Sequence, residues 1–445
     1  MSLQEKLIKL LDEKKFAEIK NILSTKEPAD IKIIFDKVPL EDVPFLFRIL
    51  PKDEAADTFV EMEPEMQEYL ISAFSDFELK QILDFMFMDD TVDLIEEMPA
   101  NLVKRILKNT TSKDRQIINE MLKYPKDTAG SIMTTELVSL RSYMTISEAF
   151  EKIRRTGINK ETIYICYITD RNKKLMGIAS VKDLLLNDSD TIIGDIMDTS
   201  YICVHTLEDK EEVVKKFSKY DFLALPVVDN ENRLVGIVTF DDAIDVIQEE
   251  NTEDFQKMAA MSPNEESYFK TPAFQHARKR FGWLLFLMLS ATITQTIITH
   301  YENAFAAIPL LVSFIPMITG TGGNCGSQSS TMIIRGIALD EVRPKDILKA
   351  MLKESEIALI VGVLLAIVNA VRVMIMYHNA VIALVLGITL VLTVLLSKLL
   401  GCVLPLCAKK FNLDPAIMAT PVISTVVDSC SVLIYFNVAI KILTI

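Results

Sequence analysis

The sequence predicts three kinds of structure in one chain: an all-α superhelical N-terminal domain, a duplicated α+β module, and an all-α transmembrane domain of five spans. Three observations carry that prediction. Charge and apolarity are segregated along the 445 residues, one order of strands and helices occurs twice between residues 127 and 250, and long apolar runs fill the last third. Half of the residues are hydrophobic while 24% are charged. Residues 271–445 hold 8 acidic and 13 basic side chains, leaving 53 acidic and 34 basic in residues 1–270. The first part therefore carries −19 and the second +5. So acidic a soluble part argues against nucleic acid and anionic lipid as its partners and favours cations.

The six cysteines, at 166, 203, 325, 402, 407 and 430, form no Cys-x-x-Cys, and four of them lie in apolar runs. They read as small hydrophobes of a reducing compartment. The four histidines, at 205, 276, 300 and 378, make no pair at metal-binding spacing. The first 20 residues form a charged amphipathic helix and no signal peptide, so the soluble domains are expected in the cytoplasm.

Residues 1–126 show short apolar runs at helical spacing, restarted about every 12 residues at Val38-Pro39, Leu50-Pro51, Met62-Glu63-Pro64, Phe74-Ser75-Asp76, Met88-Asp89-Asp90 and Met98-Pro99. Proline and acidic residues at such points start helices, and stacked short helices make a superhelix. Asp89, Asp90 and Asp93, taken alone, read as acids capping a helix dipole.

From Asp127 the pattern changes to alternating strands and helices. The first copy, 127–188, runs through Gly130-Ser-Ile-Met133, a helix at 146–155, a strand at 164–170 and Leu175-Met-Gly177-Ile-Ala-Ser180-Val-Lys-Asp183. The second, 189–250, runs through Gly194-Asp-Ile-Met197, a helix at 210–219, Leu225-Pro-Val-Val-Asp229 and Leu234-Val-Gly236-Ile-Val-Thr239-Phe-Asp-Asp242. This duplication resembles a tandem pair of CBS domains. The resemblance implies an adenosine-nucleotide site, for ATP or a related nucleotide, at Ser180, Asp183, Thr239 and Asp242, and implies a sensor without chemistry of its own.

A connecting segment, 251–275, leads to the basic collar Arg278-Lys279-Arg280. Ahead of it and within it Asp242, Asp245, Glu249 and Glu253 stack on one helix face, where like charges repel. Such a face is either solvated or bridged to another acidic surface by a divalent cation; Mg2+, which keeps much of its water and needs only one or two carboxylates, suits the second case.

The membrane domain, 276–445, contains five expected spans: 281–300, 304–334, 356–377, 381–408 and 415–444. Basic residues at 278–280, 335, 343, 345, 349, 353, 409 and 410 cluster on one side, and the loops at 301–303 and 378–379 lie on the other. The positive-inside rule makes the first side cytoplasmic and leaves the C-terminus outside. Span two carries Thr319-Gly320-Thr-Gly322-Gly323-Asn324-Cys-Gly326-Ser-Gln328. Four glycines in seven residues are expected to break the helix and to free carbonyls, which with Asn324 and Gln328 offer oxygens to a hydrated cation; the alternative is close helix packing. Span five holds Asp428 among residues otherwise free of charge up to Lys441. A carboxylate at that depth costs roughly 2.5 to 3.5 kcal/mol and marks an ion pathway, unless helix-packing hydrogen bonds satisfy it.

Helical acidic domain, paired CBS units, acidic connecting helix, five spans, Gly-Thr-Gly-Gly-Asn-x-Gly-x-Gln in span two, and Asp414-Pro415-Ala opening the span that holds Asp428 are together similar to the MgtE family of magnesium channels, over essentially the whole chain. The resemblance implies a homodimer in the cell (inner) membrane with a pore on its two-fold axis, where Asp428, Gly323, Asn324 and Ser424 meet hydrated Mg2+. It implies regulatory Mg2+ ligands at Asp89, Asp93, Asp209, Glu211, Asp221, Asp242, Asp245, Glu250, Glu253 and Asp254, with Asp414 meeting the connecting "plug" helix at the cytoplasmic mouth. Ser327 and Thr420 stand where the family frequently has Asn. A second reading keeps the scaffold for a less selective or proton-coupled carrier of divalent metals such as Mn2+ or Co2+. A membrane hydrolase using Ser327, Ser329 or Ser330 lacks a base, because His300 is expected on the far surface, and no enzymatic motif is present.

Overall fold

The computed structural model describes residues 3–264, 268–269, 271–301, 308–418 and 420–443. The chain forms two compact units, Met1–Ile247 and Gln248–Ile445. Glu302, Asn303, Ala304, Thr444 and the Thr420 side chain, which figure in the expectations above, lie outside the described residues.

In the first unit every one of the six restarts begins a helix: Val43–Phe47, Lys52–Val60, Pro64–Ala73, Asp76–Leu83, Met88–Glu97 and Ala100–Asn109. Proline supplies the first residue where a missing N–H costs nothing, as at Pro28 and Pro64. At Ser75 a capping box closes the turn: the Glu78 amide donates to Ser75 Oγ at 3.2 Å and the Ser75 amide to Glu78 Oε2 at 2.7 Å. Leu46, Phe59, Leu70 and Ile106 are fully buried in one core shared by these helices, which is how helices too short to stand alone in water are held.

Each α+β copy forms a three-stranded sheet. The first has order β1 (Val138–Leu140), β2 (Ile165–Thr169), β3 (Leu175–Ser180); the second has β4 (Val204–His205), β5 (Ala224–Val228), β6 (Leu234–Thr239). In both the outer pair is parallel and the hairpin antiparallel. The helices Ile146–Thr156 and Lys210–Tyr220 fall where the duplication puts them, and a shared core around Tyr167, Ala224, Val228 and Ile237 joins the copies.

The copies also exchange their lead-in segments. Thr134 and Ile237 trade backbone hydrogen bonds at 2.8 and 2.9 Å, and Ile178 and Asp198 do the same at 3.0 and 2.8 Å. Residues leading into the first sheet thus pair with the second, and the reverse. Gly177 and Gly236 make this possible: a Cβ on Gly177 would stand 2.8 Å from the Asp198 carbonyl oxygen, and one on Gly236 2.7 Å from that of Thr134.

The connecting helix is the last helix of the second copy prolonged: Phe240–Met258 is one helix of 19 residues. It stops at Met258, short of the 251–275 expected. Beyond it Gln256 ties the chain down, its Nε2 donating to the Asn264 carbonyl at 3.0 Å and its Oε1 accepting from the Asn264 amide at 2.6 Å.

In the second unit four helices among the described residues are long and apolar enough to cross a membrane: Ala273–His300, Pro344–Tyr377, Ala380–Lys410 and Pro415–Leu443. Ile315–Ala338, the expected second span, has 24 residues and spans about 36 Å at 1.5 Å per residue, but its Gly-Thr-Asn-Gln-Ser run makes it more polar. It packs against the helices Ala380–Lys410 and Thr420–Leu443. Helix Ile347–Tyr377 begins nine residues before the expected span, so Lys349, Lys353 and Glu354 are helical and not in a loop. No side chain of Ala273–His300 is fully buried within the chain, although Ile297 and Ile298 pack against the core that holds Tyr435 and Phe436.

The expected break at the glycines does not occur. Ile315–Ala338 is continuous α-helix through Gly320, Gly322, Gly323 and Gly326, and no glycine has positive φ. The physical reason is close approach. A Cβ on Gly322 would lie 2.8 Å from Val427 Cγ1 and from Thr393 Cγ2, and one on Gly326 2.7 Å from Ile423 Cγ2. Opposite Gly326, a Cβ on Gly401 would clash with the Gly326 carbonyl oxygen. In an apolar medium with no water to compete for backbone groups, glycine keeps its helix and lets neighbours come near.

Candidate ion path and acidic cluster

Asp428 lies on helix Thr420–Leu443, half-buried. The close packing at Gly322 and Gly326 sets Gly323, between them, against the same helix. A Cβ on Gly323 would be 3.3 Å from Ser424 Oγ and 3.9 Å from Asp428 Oδ1. Three of the four residues expected at the pore thus converge. Among the described residues the Asp428 carboxylate makes no hydrogen bond and no ion pair, so packing hydrogen bonds do not account for it. Asn324, the fourth, is exposed on another face of its helix, where with Ser327 and Gln328 it lines a cavity of about 760 Å³ whose wall includes Glu354 and Lys398. Ser327 Oγ donates to the Gly323 carbonyl at 2.8 Å. That carbonyl is therefore held in the helix and is not freed for an ion.

In the first unit, acids from three places meet. Asp89, Asp90 and Asp93 come from helix Met88–Glu97, Glu161 from the loop before β2, and Asp241 and Asp242 from the start of the connecting helix. Burial, then repulsion from Asp90, Asp242 and Glu161, pushes the Asp89 carboxyl up to about 9. Burial and Asp242 push Asp90 up to about 7. Burial and then Asp90 and Asp242 push Asp93 up to about 7, although its side chain still reaches solvent. Burial followed by Asp90, Asp241 and Asp242 pushes Glu161 up to about 8, and Asp242 is raised too, chiefly by burial. Asp89 Oδ1 and Glu161 Oε2 are buried acceptors with no hydrogen-bond partner. Buried acceptors of one sign without donors call for a cation. Carboxylate oxygens suit a hard one. Among the described residues no three His, Cys, Asp or Glu side chains are drawn together as a finished metal centre, so an ion here would keep water between itself and part of this set.

Asp90, Asp241 and Glu161 belong to this acidic group although the sequence did not put them among the expected ligands. Asp90 was visible beside Asp89 and reads as a cap; Glu161, a lone acid in a loop, carries no pattern at all. Asp209, Glu211 and Asp221 have local duties instead. Asp209 Oδ1 accepts from the Glu211 amide at 2.8 Å, Glu211 pairs with Lys215 at 2.8 Å, and Asp221 ends the helix in the left-handed region at φ 54°. None of the three joins the 89–242 group. Asp242 accepts from Thr239 Oγ1 at 2.6 Å and faces the other acids. Ser180 and Asp183 form the matching cap, Ser180 Oγ donating to Asp183 Oδ2 at 2.6 Å.

In the second unit Asp414 does meet the connecting helix, through a lysine. Lys257 Nζ lies 2.5 Å from Glu253 Oε1 and 2.7 Å from Asp414 Oδ2. Burial alone would lower this ammonium, but the hydrogen bonds to Asp414 and Glu253 hold it above the usual lysine value. Asp245, Glu250 and Asp254 also lie on the connecting helix.

Apolar membrane-length helices with a lone acid in one of them, joined in one chain to a paired α+β module and an acidic helical domain, are the architecture of a multi-pass membrane transport protein. Comparison with known proteins narrows this. Residues 315–438 match the MgtE divalent cation transporter family, residues 26–127 the MgtE intracellular N domain, and residues 129–190 and 193–249 the CBS domain. The magnesium transporter MgtE of Bacillus subtilis is 32% identical over 98% of this chain and 96% of its own length. That of Thermus thermophilus is 33% identical over 99% and 97%. Among solved structures, the cytosolic domain of the Mg2+ channel MgtE in complex with ATP matches at TM-score 0.52 and 33% identity, covering 55% of this chain and all of that one. The soluble part of a magnesium transporter matches at TM-score 0.53 and 32% identity, covering 56% and 97%. The chain belongs to the MgtE family; it is a membrane-embedded divalent cation transporter and not an enzyme.

Proposed function

We propose that the protein conducts hydrated Mg2+ into the cell through a pore that two copies of the chain form around their two-fold axis, and that cytosolic Mg2+ closes it. The observation that carries this reading is Asp428, beside Gly323 and Ser424, with no hydrogen bond or ion pair among the described residues and no other acid on its helix. A carboxylate so placed is sustained by the ion it attracts. Keeping the ion's water avoids the dehydration that Mg2+ resists, and side-chain and backbone oxygens then need only hydrogen-bond that water. Relatives named as magnesium transporters support Mg2+ as the cargo.

Closure follows from the acidic groups. Mg2+ between Asp89, Asp90, Glu161 and Asp242 removes the repulsion that otherwise opposes packing of the helical domain on the CBS pair; Asp93 and Asp245 extend this field. Glu250, Glu253, Asp254 and Asp414 link the connecting helix to the mouth of the membrane domain. The basic residues flanking the spans put the soluble domains in the cytoplasm and the C-terminus outside. An adenosine nucleotide such as ATP, as in the relative's complex, would reach Thr239 and Asp242 at the CBS pair. Asp428→Ala tests the core of this: Mg2+ uptake into proteoliposomes should fall at least about a hundredfold while the dimer persists on size-exclusion chromatography, and undiminished uptake would refute the reading. Competition by Mn2+, Co2+ and a proton gradient in the same vesicles measures selectivity and coupling.

A further inference from the structure

Lys398 stands in the middle of the apolar helix Ala380–Lys410 and Glu354 near the start of helix Ile347–Tyr377; both are buried, with 5% and 8% of their surface exposed. Their charges face one another at 3.6 Å. Ser329, of the glycine-bearing helix, lies between them, its Oγ donating to Glu354 Oε2 at 2.5 Å and accepting from Lys398 Nζ at 3.2 Å. One ion pair therefore ties three membrane helices together. The near contact of Gly401 with Gly326 brings the Lys398 helix close enough for this, and a Cβ on Gly401 would also lie 3.1 Å from Ser329 Cβ.

The pair is joined to the candidate path through the glycine-bearing helix. It forms part of the wall of the 760 Å³ cavity that Asn324 and Ser327 also line. Ser327 is hydrogen-bonded to Gly323, which itself abuts Ser424 and Asp428. The ion pair and Asp428 thus meet the same glycine-bearing helix, the pair at Ser329 and Asp428 at Gly323.

We propose that Glu354 and Lys398 are positioning residues that also set the charge of the conduction path. They fix the glycine-bearing helix, and by cancelling each other they leave Asp428 as the dominant charge that a passing cation meets. A salt bridge that only held helices together could be replaced by apolar side chains with little loss. One that sets the field gives itself away when a single partner is removed, because a unit charge about 10 Å from an ion shifts its local population by roughly tenfold where water is scarce. The sign then depends on which charge is left.

This inference rests on the path at Asp428 proposed above, and Mg2+ flux through the full-length protein in liposomes tests the two separately. Glu354→Gln leaves an ammonium facing the path and should cut flux at least about threefold. Lys398→Met leaves a carboxylate and should hold flux at or above the wild-type level. The double variant Glu354→Gln/Lys398→Met should return to within about twofold of wild type, and Lys398→Arg, which keeps the charge, should conduct as wild type does. Thermal stability of each purified variant is measured in parallel. If both single variants lose flux alike, in step with lost stability, or if the double variant is no better than Glu354→Gln, the pair is structural only and the inference fails. Flux that survives Asp428→Ala would instead remove the path itself, whatever the Glu354 and Lys398 variants do.

Discussion

The soluble and membrane units bury charge in opposite ways. Around Asp89, Glu161 and Asp242 like charges are gathered; the carboxyls of Asp89, Asp90, Asp93 and Glu161 rise to between about 7 and 9 and that of Asp242 is raised as well. Around Ser329 opposite charges are paired and three helices close on them. The first arrangement is opposed by its own charges, a repulsion that a cation would relieve. The second is complete without one. Asp428, among the described residues, is neither gathered with its like nor paired with its opposite, as the proposed ion site requires. Where water is near, a protein can hold unbalanced charge and use its relief as a response; where water is far, imbalance is tolerable only at the point of passage.

This contrast can be broken from the membrane side with the largest effect. Gly401→Ala places a methyl group against the Gly326 carbonyl, with no flexible side chain to give way. It should destabilise the membrane unit by about 3 kcal/mol, and it should loosen the Ser329–Glu354–Lys398 triad, both readable as a lower melting temperature of the detergent-solubilised protein. A melting temperature equal to wild type would show that the helices separate easily and that the triad does not depend on their closeness.

On the soluble side, Asp89→Asn with Asp242→Asn removes two of the repelling charges. Hydrogen exchange of helix Met88–Glu97 in Mg2+-free solution should slow by about tenfold, the equivalent of about 1.4 kcal/mol, and adding Mg2+ should no longer slow it further. An unaltered Mg2+ response would place the sensing ion elsewhere.

The smallest effect is a slope. Carboxyls raised in the folded state bind protons that the unfolded chain releases, so their contribution favours the fold fully below about pH 4 and is lost as pH rises through about 7 to 9. Without Mg2+, stability of the first unit should fall between pH 6 and pH 9 by up to about 1.4 kcal/mol per pH unit for each proton involved. Saturating Mg2+ should flatten that slope. A flat profile in the absence of Mg2+ would mean that these acids are solvated and not gathered.

Much of this was legible in the sequence because it is local. Pro51, Pro64 and Ser75 announce their helices by the hydrogen bonds they lack or supply, and the doubled order of Gly177 and Gly236 within otherwise apolar strands announces the paired module. Asp428 was legible because nothing else nearby is charged. The glycine-bearing helix was misread for a physical reason: glycine lowers helix propensity in water, but Gly322 and Gly326 sit where packing against Val427 and Ile423 outweighs it. Glu161 and the Glu354–Lys398 pair were missed because they are made by tertiary contact alone. For the latter a hint existed, since a lysine within some thirty apolar residues needs a partner as surely as an aspartate does, and Lys398 should have been asked for its own.

The exchange of lead-in segments between the two α+β copies reaches further than their internal symmetry suggests. Thr134 bridges to Ile237 of the second sheet and Asp198 to Ile178 of the first, so a chain severed near 188 would yield two fragments, each with an unpaired edge residue and each holding the other's bridging partner. Neither copy is therefore inheritable alone. The pair must melt, refold and be shuffled between proteins as one indivisible block, and any pull on the connecting helix is felt by both halves at once.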